Sequence, residues 1–385
     1  MGGNSGVNSG QQNGRTSLKI QPSRLVGNLR LPPSKSHAMR WLTLASMDTS
    51  PTKIMMWEIG EDVQAMIDCL IKLGSEWNGE ELTGCSKVSS GGKLDCKNSG
   101  TALRFLIAQS ATSESTITLD GDASLRARSS LQLVESLGVS ANKSPDEQEY
   151  PITISGPFTK DFVEIDISKT SQFHSALMLM APRTNGFVIQ TKGEGVSRKH
   201  SELTWRLCKI TGAKTPGMPW KVDCPDVVIP PDASMAAFAR LAKLEVVNQP
   251  KQSESIGHSL ERSELRDSND LITPMAAWLA MGNGGVISGA KHAAYKESNR
   301  ITKTAELLAQ FGLKSEITED GLSITGRQTP TRPEGLVKTF DDHRIQMTAI
   351  LLASICGGEI EGPELHKVAW PSFLDQLVKC GLRLE

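Results

Sequence analysis

Several helical patterns in this chain end in the same way, and that recurrence constrains the fold more than any single motif. Val63, Met66, Ile67, Leu70 and Ile71 form one apolar stripe at helical spacing, closed by Leu73-Gly74. Comparable runs close at Leu137-Gly138, Thr211-Gly212, Phe311-Gly312 and Cys380-Gly381. Glycine just past a helix takes the left-handed backbone of a helix stop at little steric cost. Short β-like segments follow or separate the stops, at 152–155, 187–190 and 321–325. Neighbouring stops lie about 65–75 residues apart, the kind of period that marks tandem structural units. The interval from Gly212 to Gly312 breaks the rule, being too long for one unit and too short for two. The pattern predicts six β/α units, with the copy around 244–270 cut down to a polar, weakly periodic stretch. Repeated units predict two similar halves, and a cleft between halves is a common place for a ligand.

At 385 residues the chain has room for two domains with ample core. Its 42 basic and 43 acidic residues give no overall field that would draw nucleic acid or an anionic membrane. Anion binding must therefore come from local clusters. No apolar run approaches the roughly 18 residues that a membrane helix needs. Residues 1–16, rich in Gly, Ser, Asn and Gln, have no apolar signal core and read as a disordered tail. The seven cysteines are scattered, odd in number and never in a C-x-x-C pair. That argues against a disulfide framework or a zinc site, and for reduced thiols in a cytoplasm.

The local clusters sit at helix starts. Tyr295-Lys296-Glu297-Ser298-Asn299-Arg300-Ile301 opens an amphipathic run that stops at Gly312. Lys296 and Arg300 are four apart and can share a face, yet two cations oppose the helix dipole there. The pattern makes more sense as an anion site with a carboxylic acid inside it. Pro32-Pro33-Ser34-Lys35-Ser36-His37-Ala38-Met39-Arg40 is a turn into a second helix, with Lys35 and Arg40 flanking hydroxyls. Lys97-Asn98-Ser99-Gly100-Thr101-Ala102-Leu103-Arg104 repeats the theme, with small residues that let backbone N–H groups approach an anion. Gly121-Asp122-Ala123-Ser124-Leu125-Arg126-Ala127-Arg128 adds two arginines. Ser168-Lys169-Thr170-Ser171-Gln172-Phe173 supplies neutral donors and acceptors suited to a polyhydroxylated substrate, and Ser197-Arg198-Lys199-His200 opens the next helix. Asp232, Ser234, Asn269-Asp270 and Asp341-Asp342-His343-Arg344 follow in the other half. Taken singly, each start also reads as a capped helix with surface charge; it is their number that points to a site.

Together these motifs resemble the 5-enolpyruvylshikimate-3-phosphate synthase family, the enolpyruvyl transferases of the shikimate pathway. The resemblance runs from about Ser17 to the C-terminus, with P-S-K-S-x-x-x-R, N-S-G-T-A-x-R, G-D-x-S-L-x-x-R, S-Q-F, K-E-S-N-R and D-H-R in the family's order. It implies an α/β fold of two similar domains, each of three βαβαββ units in an inside-out barrel, here with the fifth unit shortened. The implied division is 34–230 for one domain, and 17–33 plus 231–385 for the other. The implied activity is that of a 3-phosphoshikimate 1-carboxyvinyltransferase, acting as a monomer without metal or cofactor. It would transfer the enolpyruvyl group of phosphoenolpyruvate to the 5-hydroxyl of shikimate 3-phosphate and release phosphate.

By the same resemblance, Glu297 is the proton donor, Asp270 the proton acceptor, and Lys35 a group touching both substrates. Ser36, Arg40, Thr170, Ser171, Ser197, His292 and Lys296 would hold shikimate 3-phosphate, with Gln172 between the two substrates. Asn98, Gly100, Arg128, Arg300 and Arg344 would hold phosphoenolpyruvate, with His343 in support. The chain departs from the family pattern at the shortened unit, which alters the approach of Asp270 to the site. It also has Phe105 and Ser129 where many members have proline, and Val368 at the position of a C-terminal lysine. Lys367, one position away, is the candidate replacement. The related UDP-N-acetylglucosamine enolpyruvyl transferases carry a loop cysteine where Gly121–Arg128 has none. A non-catalytic phosphometabolite-binding relative would fit the eroded unit but not the retention of Glu297 and Asp270 beside the arginines. An RNA-processing relative finds no support in charge or aromatic platforms.

Overall fold

The computed structural model describes residues 17–88, 92–142 and 149–385; the expected tail at 1–16 lies outside them. Among the described residues there are six small sheets, and one strand pattern recurs in three of them. Gly92–Asp95 runs parallel to Thr116–Asp120, which pairs antiparallel with Ile152–Ser155, which in turn takes Ser140–Asn142 on its far edge. The same order is met in Val227–Val228, Thr52–Met55, Glu81–Thr83 and Glu76–Trp77. It appears a third time in Leu336–Val337, Gly358–Glu361, Ser17–Gln21 and Arg383–Leu384. Two of the parallel pairs, Gly92–Asp95 with Thr116–Asp120 and Leu336–Val337 with Gly358–Glu361, are each joined by a single helix, Gly100–Ser110 and His343–Cys356 respectively. The glycine stops behave as expected. Gly74, Gly138, Gly212, Gly312 and Gly381 all have positive φ, between 67° and 110°, which a Cβ would oppose.

The other three sheets are incomplete. Gly285–Ile287, Leu322–Ile324 and Ser315–Ile317 lack the parallel outer strand, for which a single bridge from Glu264 to Ser288 stands in. Phe162–Asp166 and Val188–Lys192 form a parallel pair only, as do Asn28–Leu29 and Glu245–Val246. The second of these pairs is the abbreviated unit. Its chain leaves Val246 and, instead of a second helix and hairpin, makes a short 3-10 turn at Gln252–Glu254 and a bridge at Glu264. The shortening thus falls at 244–270.

Apolar side chains gather into two cores, one from residues between Ala38 and Ile229, the other from Leu18–Leu31 together with Met235–Leu382. A central helix anchors each. Gly100–Ser110 buries nearly all its residues and packs against Gln172–Met180, while His343–Cys356 does the same in the second core. Helices apolar on every side belong inside a protein, so only their starts can present polar groups. Phe105 is fully buried within Gly100–Ser110, where a proline would forfeit a helix N–H bond. Its ring lies 5.4 Å below the Arg40 guanidinium.

Candidate active site

The helix starts converge on one cavity of about 550 Å³. Seven cations on its wall, Lys35, Arg40, Arg104, Arg128, Lys169, Lys296 and Arg344, face four carboxylates, Asp62, Asp232, Asp270 and Glu297. The surplus of positive charge suits a polyanionic occupant.

Capping explains how these starts are held. Ser99 accepts from Ala102 N, Asp122 from Leu125 N, Asn299 from Thr302 N, and Asp342 from Arg344 N. Lys35, the first residue of helix Lys35–Ala45, reaches Asp62 at 2.8 Å. Burial opposes its charge, but Asp62 and Glu297 outweigh that and raise its pKa above the usual lysine value. Arg40 is buried and bonds only neutral oxygens: Thr204 Oγ1 at 2.6 Å, the Ser36 and His200 carbonyls at 2.8 and 3.2 Å, and Ser175 Oγ at 3.3 Å. No carboxylate pairs with it among the described residues, and burial pulls its pKa down to about 9. Such a cation is unfavourable until an anion meets it. Arg104 is similar. It donates to Gln172 Oε1, lies 5.5 Å above the Phe173 ring, and is lowered by burial to about 10.

Arg128 Nη2 donates to Asn98 O at 2.6 Å and Asn98 Oδ1 at 2.5 Å, so Asn98 acts by aiming the guanidinium. A Cβ on Gly100 would sit 3.2 Å from Arg128 Nη1 and 3.3 Å from Arg104 Nη1, so the bare glycine lets both arginines close in. Gln172 links the wall further, donating to Thr101 Oγ1 at 3.0 Å, with Thr170 and Ser171 beside it. Ser197 Oγ lies 3.2 Å from His292 Nε2. Burial and the neighbouring Lys296 push His292 down to about 3; burial and Lys35 do the same to His343, which lines the wall with its Nε2 unpartnered.

Arg300 is 1% exposed and organises the carboxylates. Its Nε donates to Asp342 Oδ2 at 2.8 Å, Nη1 to Asp270 Oδ1 at 2.8 Å, and Nη2 to Glu297 Oε2 at 2.5 Å. Arg344 Nη1 donates to Asp270 O at 3.0 Å and Nη2 to Ser234 Oγ at 2.8 Å. Burial would raise the Glu297 and Asp270 pKa values, but cations win at both. Arg300, Arg128 and Lys35 hold Glu297 well below the usual range. Lys296, whose Nζ is 3.8 Å away, Arg344 and Arg300 do so for Asp270. Burial in turn lowers Lys296.

The family model for EPSP synthase (3-phosphoshikimate 1-carboxyvinyltransferase) matches residues 20–248 and 242–377, nearly the whole chain. The chain belongs to the EPSP synthase family. The two matched stretches meet at the abbreviated unit. The 3-phosphoshikimate 1-carboxyvinyltransferase of Caldivirga maquilingensis is 27% identical over 420 residues, covering 95% of this chain and 99% of that protein. That of Korarchaeum cryptofilum is 29% identical over 425 residues, covering 95% and 98%. Both alignments are longer than this chain, so these relatives carry segments that it lacks. Among solved structures, EPSP synthase from Acinetobacter baumannii superposes with a TM-score of 0.71 at 20% identity, covering 96% of this chain and 98% of its own. The enolpyruvyl transferase NikO from Streptomyces tendae gives 0.65 at 15%, covering 96% and 98%. These likenesses show the two-domain α/β fold.

For a member of this family, the structure brings together most of the residues singled out from sequence. Lys35, Ser36, Arg40, Gly100, Arg128, Thr170, Ser171, Gln172, Ser197, Asp270, His292, Lys296, Glu297, His343 and Arg344 line the cavity. Asn98 stands behind Arg128, and Arg300 behind Glu297 and Asp270. Lys367 is not brought in. Its ammonium pairs with Glu364 at 2.5 Å, outside the cavity lining, and its neighbour Val368 packs inward near Gly60. Sequence reasoning missed Asp62, Arg104, His200 and His258. The pocket-side role of Arg104 was open to view, since it closes the N-S-G-T-A-x-R motif; Asp62 carried no signal beyond an ordinary acidic helix start.

Proposed function

We propose that this chain is a 3-phosphoshikimate 1-carboxyvinyltransferase that works as a monomer in the cytoplasm, with its site between residues 34–230 and a half made of 17–33 and 231–385. One observation carries the reading: a single buried guanidinium, Arg300, grips both Glu297 and Asp270 beside a cation-rich cavity. An acid and a base are thereby preset in geometry, next to groups that need anions.

In this reading shikimate 3-phosphate takes the part of the wall formed by Ser36, Arg40, Thr170, Ser171, Gln172, Ser197, His292 and Lys296. Phosphoenolpyruvate lies against Lys35, Gly100, Arg128 and Arg344. Asp270 accepts the proton of the 5-hydroxyl as that oxygen attacks the enol carbon, and Glu297 gives a proton to the methylene carbon. The tetrahedral adduct then loses phosphate and one methyl proton, restoring the carbon–carbon double bond. Arg128, Arg344 and Lys35 stabilise the charge as it moves onto phosphate.

Glu297 must be protonated to serve as the acid, yet in the empty site cations keep it ionised. Substrate anions neutralise those cations, and burial then raises the carboxyl pKa. The acid is thus primed by binding. Both halves supply groups from one chain, which supports a monomer, and all seven cysteines are free, which supports a reducing compartment. The test is phosphate release from shikimate 3-phosphate and phosphoenolpyruvate. Glu297→Gln should lower kcat by roughly 10²–10⁴-fold, the usual worth of a positioned acid. A folded wild-type protein that releases no phosphate refutes the activity; full turnover by Glu297→Gln refutes the assignment of the acid.

A further inference from the structure

The abbreviated unit does more than shorten the chain. Its residues cross from one half to the other. Leu265 N donates to Ser288 O at 2.8 Å and Arg240 Nη1 to Leu260 O at 2.6 Å, tying 260–265 to the second half. On the other side, Arg206 Nη1 donates to Ser253 O at 2.7 Å, and Arg198 N donates to Asp267 Oδ1 at 2.7 Å, so the segment docks on helix Arg198–Ile210. Between these anchors Ile256 packs against the first core, and the His258 ring meets His200 edge-on, centroids 6.0 Å apart.

Two details indicate that this crossing is built for the cavity. Ile256 has φ 52°, a conformation that a β-branched residue adopts only when its surroundings impose it. That strain turns Ile256 and His258 onto the cavity wall. The segment also sets its neighbours. Ser197, itself at φ 50°, donates its N–H to Arg266 O at 2.9 Å, and the His200 carbonyl accepts from Arg40. Ser197 and Arg40 belong to the ring-substrate side of the site in the reading above, on which this inference rests.

We infer that residues 252–267 are a strap that forms the ring-substrate wall of the cavity, with Ile256 and His258 in contact with bound shikimate 3-phosphate. His258 Nδ1 lies 2.8 Å from the Ser255 carbonyl, which can only accept, so Nδ1 carries the proton and Nε2 is a bare acceptor in the neutral ring. Nε2 has no partner among the described residues. A buried acceptor left unmade is costly, and a ring hydroxyl is a donor of the kind it lacks. The missing half-unit is thereby replaced by a selective surface.

Calorimetric titration of shikimate 3-phosphate tests this, with wild type, His258→Phe, and Arg206→Ala, which loosens the strap from outside the cavity. His258→Phe should raise Kd about 5–10-fold, the loss of one hydrogen bond, and Arg206→Ala should raise it by a smaller factor. The KM for phosphoenolpyruvate should stay within about twofold in both, because a contact with one ligand gives a differential effect. Unchanged Kd in His258→Phe, or an equal rise in the KM for phosphoenolpyruvate, overturns the inference. A wild-type protein that binds no shikimate 3-phosphate overturns the proposed activity as well. Wild-type binding with an unaltered His258→Phe overturns the strap alone.

Discussion

Acid should unfold this protein early, and buried histidines are the reason. His37, His292 and His343 are each 2–4% exposed and pushed by burial down to about 3; His366, 2% exposed, is pushed to about 4. In the unfolded chain each would titrate near 6.5, so below that pH the unfolded state binds protons that the native state refuses. Stability therefore falls as pH falls, from about 6.5 until the native values near 3–4 are reached. Each histidine contributes about 1.4 kcal/mol per pH unit in that window, or about 2 kcal/mol between pH 7 and 5. Four of them approach about 8 kcal/mol, against a total stability of roughly 5–15 kcal/mol. His366 isolates the effect, because it packs beside Phe373 outside the cavity lining and its Nδ1 has no partner among the described residues. Urea unfolding of wild type and His366→Phe at pH 7.5, 6 and 5 is the assay. The slope of stability against pH should be shallower in the variant by about 1.4 kcal/mol per unit. Parallel slopes would refute the reasoning, since removing a buried neutral histidine would then have removed no proton uptake.

Two further outcomes follow from the site. Arg300→Met leaves Asp342, Glu297 and Asp270 without their shared cation, and should lower stability at pH 7 by about 3–5 kcal/mol in urea unfolding. Asp342 and Glu297 account for most of that, as Asp270 keeps a fifth of its side chain in contact with solvent; a loss below about 1 kcal/mol would show the network to be slack. Lys367→Ala should leave the KM for phosphoenolpyruvate within about twofold, because its partner is a surface glutamate. A tenfold rise would return Lys367 to the substrate-binding groups.

The features legible in the sequence were those with local causes. A glycine at a helix stop is needed wherever φ turns positive, so Gly74, Gly138, Gly212, Gly312 and Gly381 reported the unit boundaries directly. Lys or Arg at a helix start opposes the dipole, so Lys35, Arg128 and Lys296 stood out as cations awaiting anions. What stayed hidden depended on partners far along the chain. Asp62 looks like any acidic residue in a first helical turn until folding sets it against Lys35, 27 positions earlier. That Arg40 and Arg104 are buried with no carboxylate partner among the described residues was likewise visible only in the fold. His258 lay in a polar stretch read as eroded, and only folding sets its ring against His200. The pairing of the shortened unit was hidden for a similar reason: its first strand, Asn28–Leu29, lies more than 200 residues before Glu245–Val246. Lys367 stands one residue along a 3-10 turn from Val368, which turns its ammonium to Glu364.

The sheet made by Ser17–Gln21 has a bearing on how the molecule comes into being. That strand is flanked by Gly358–Glu361 and Arg383–Leu384, partners that lie more than 330 residues downstream. All the buried side chains of the first core, by contrast, precede residue 230. During synthesis the half bearing Arg40, Arg104 and Arg128 can consolidate while the remainder is still being made. The half bearing Glu297 and Asp270 must hold its opening strand in reserve until the last strand emerges. Translation order thus favours an order of assembly: Arg40, Arg104 and Arg128 are in place first, and Glu297, Asp270 and Arg344 follow together.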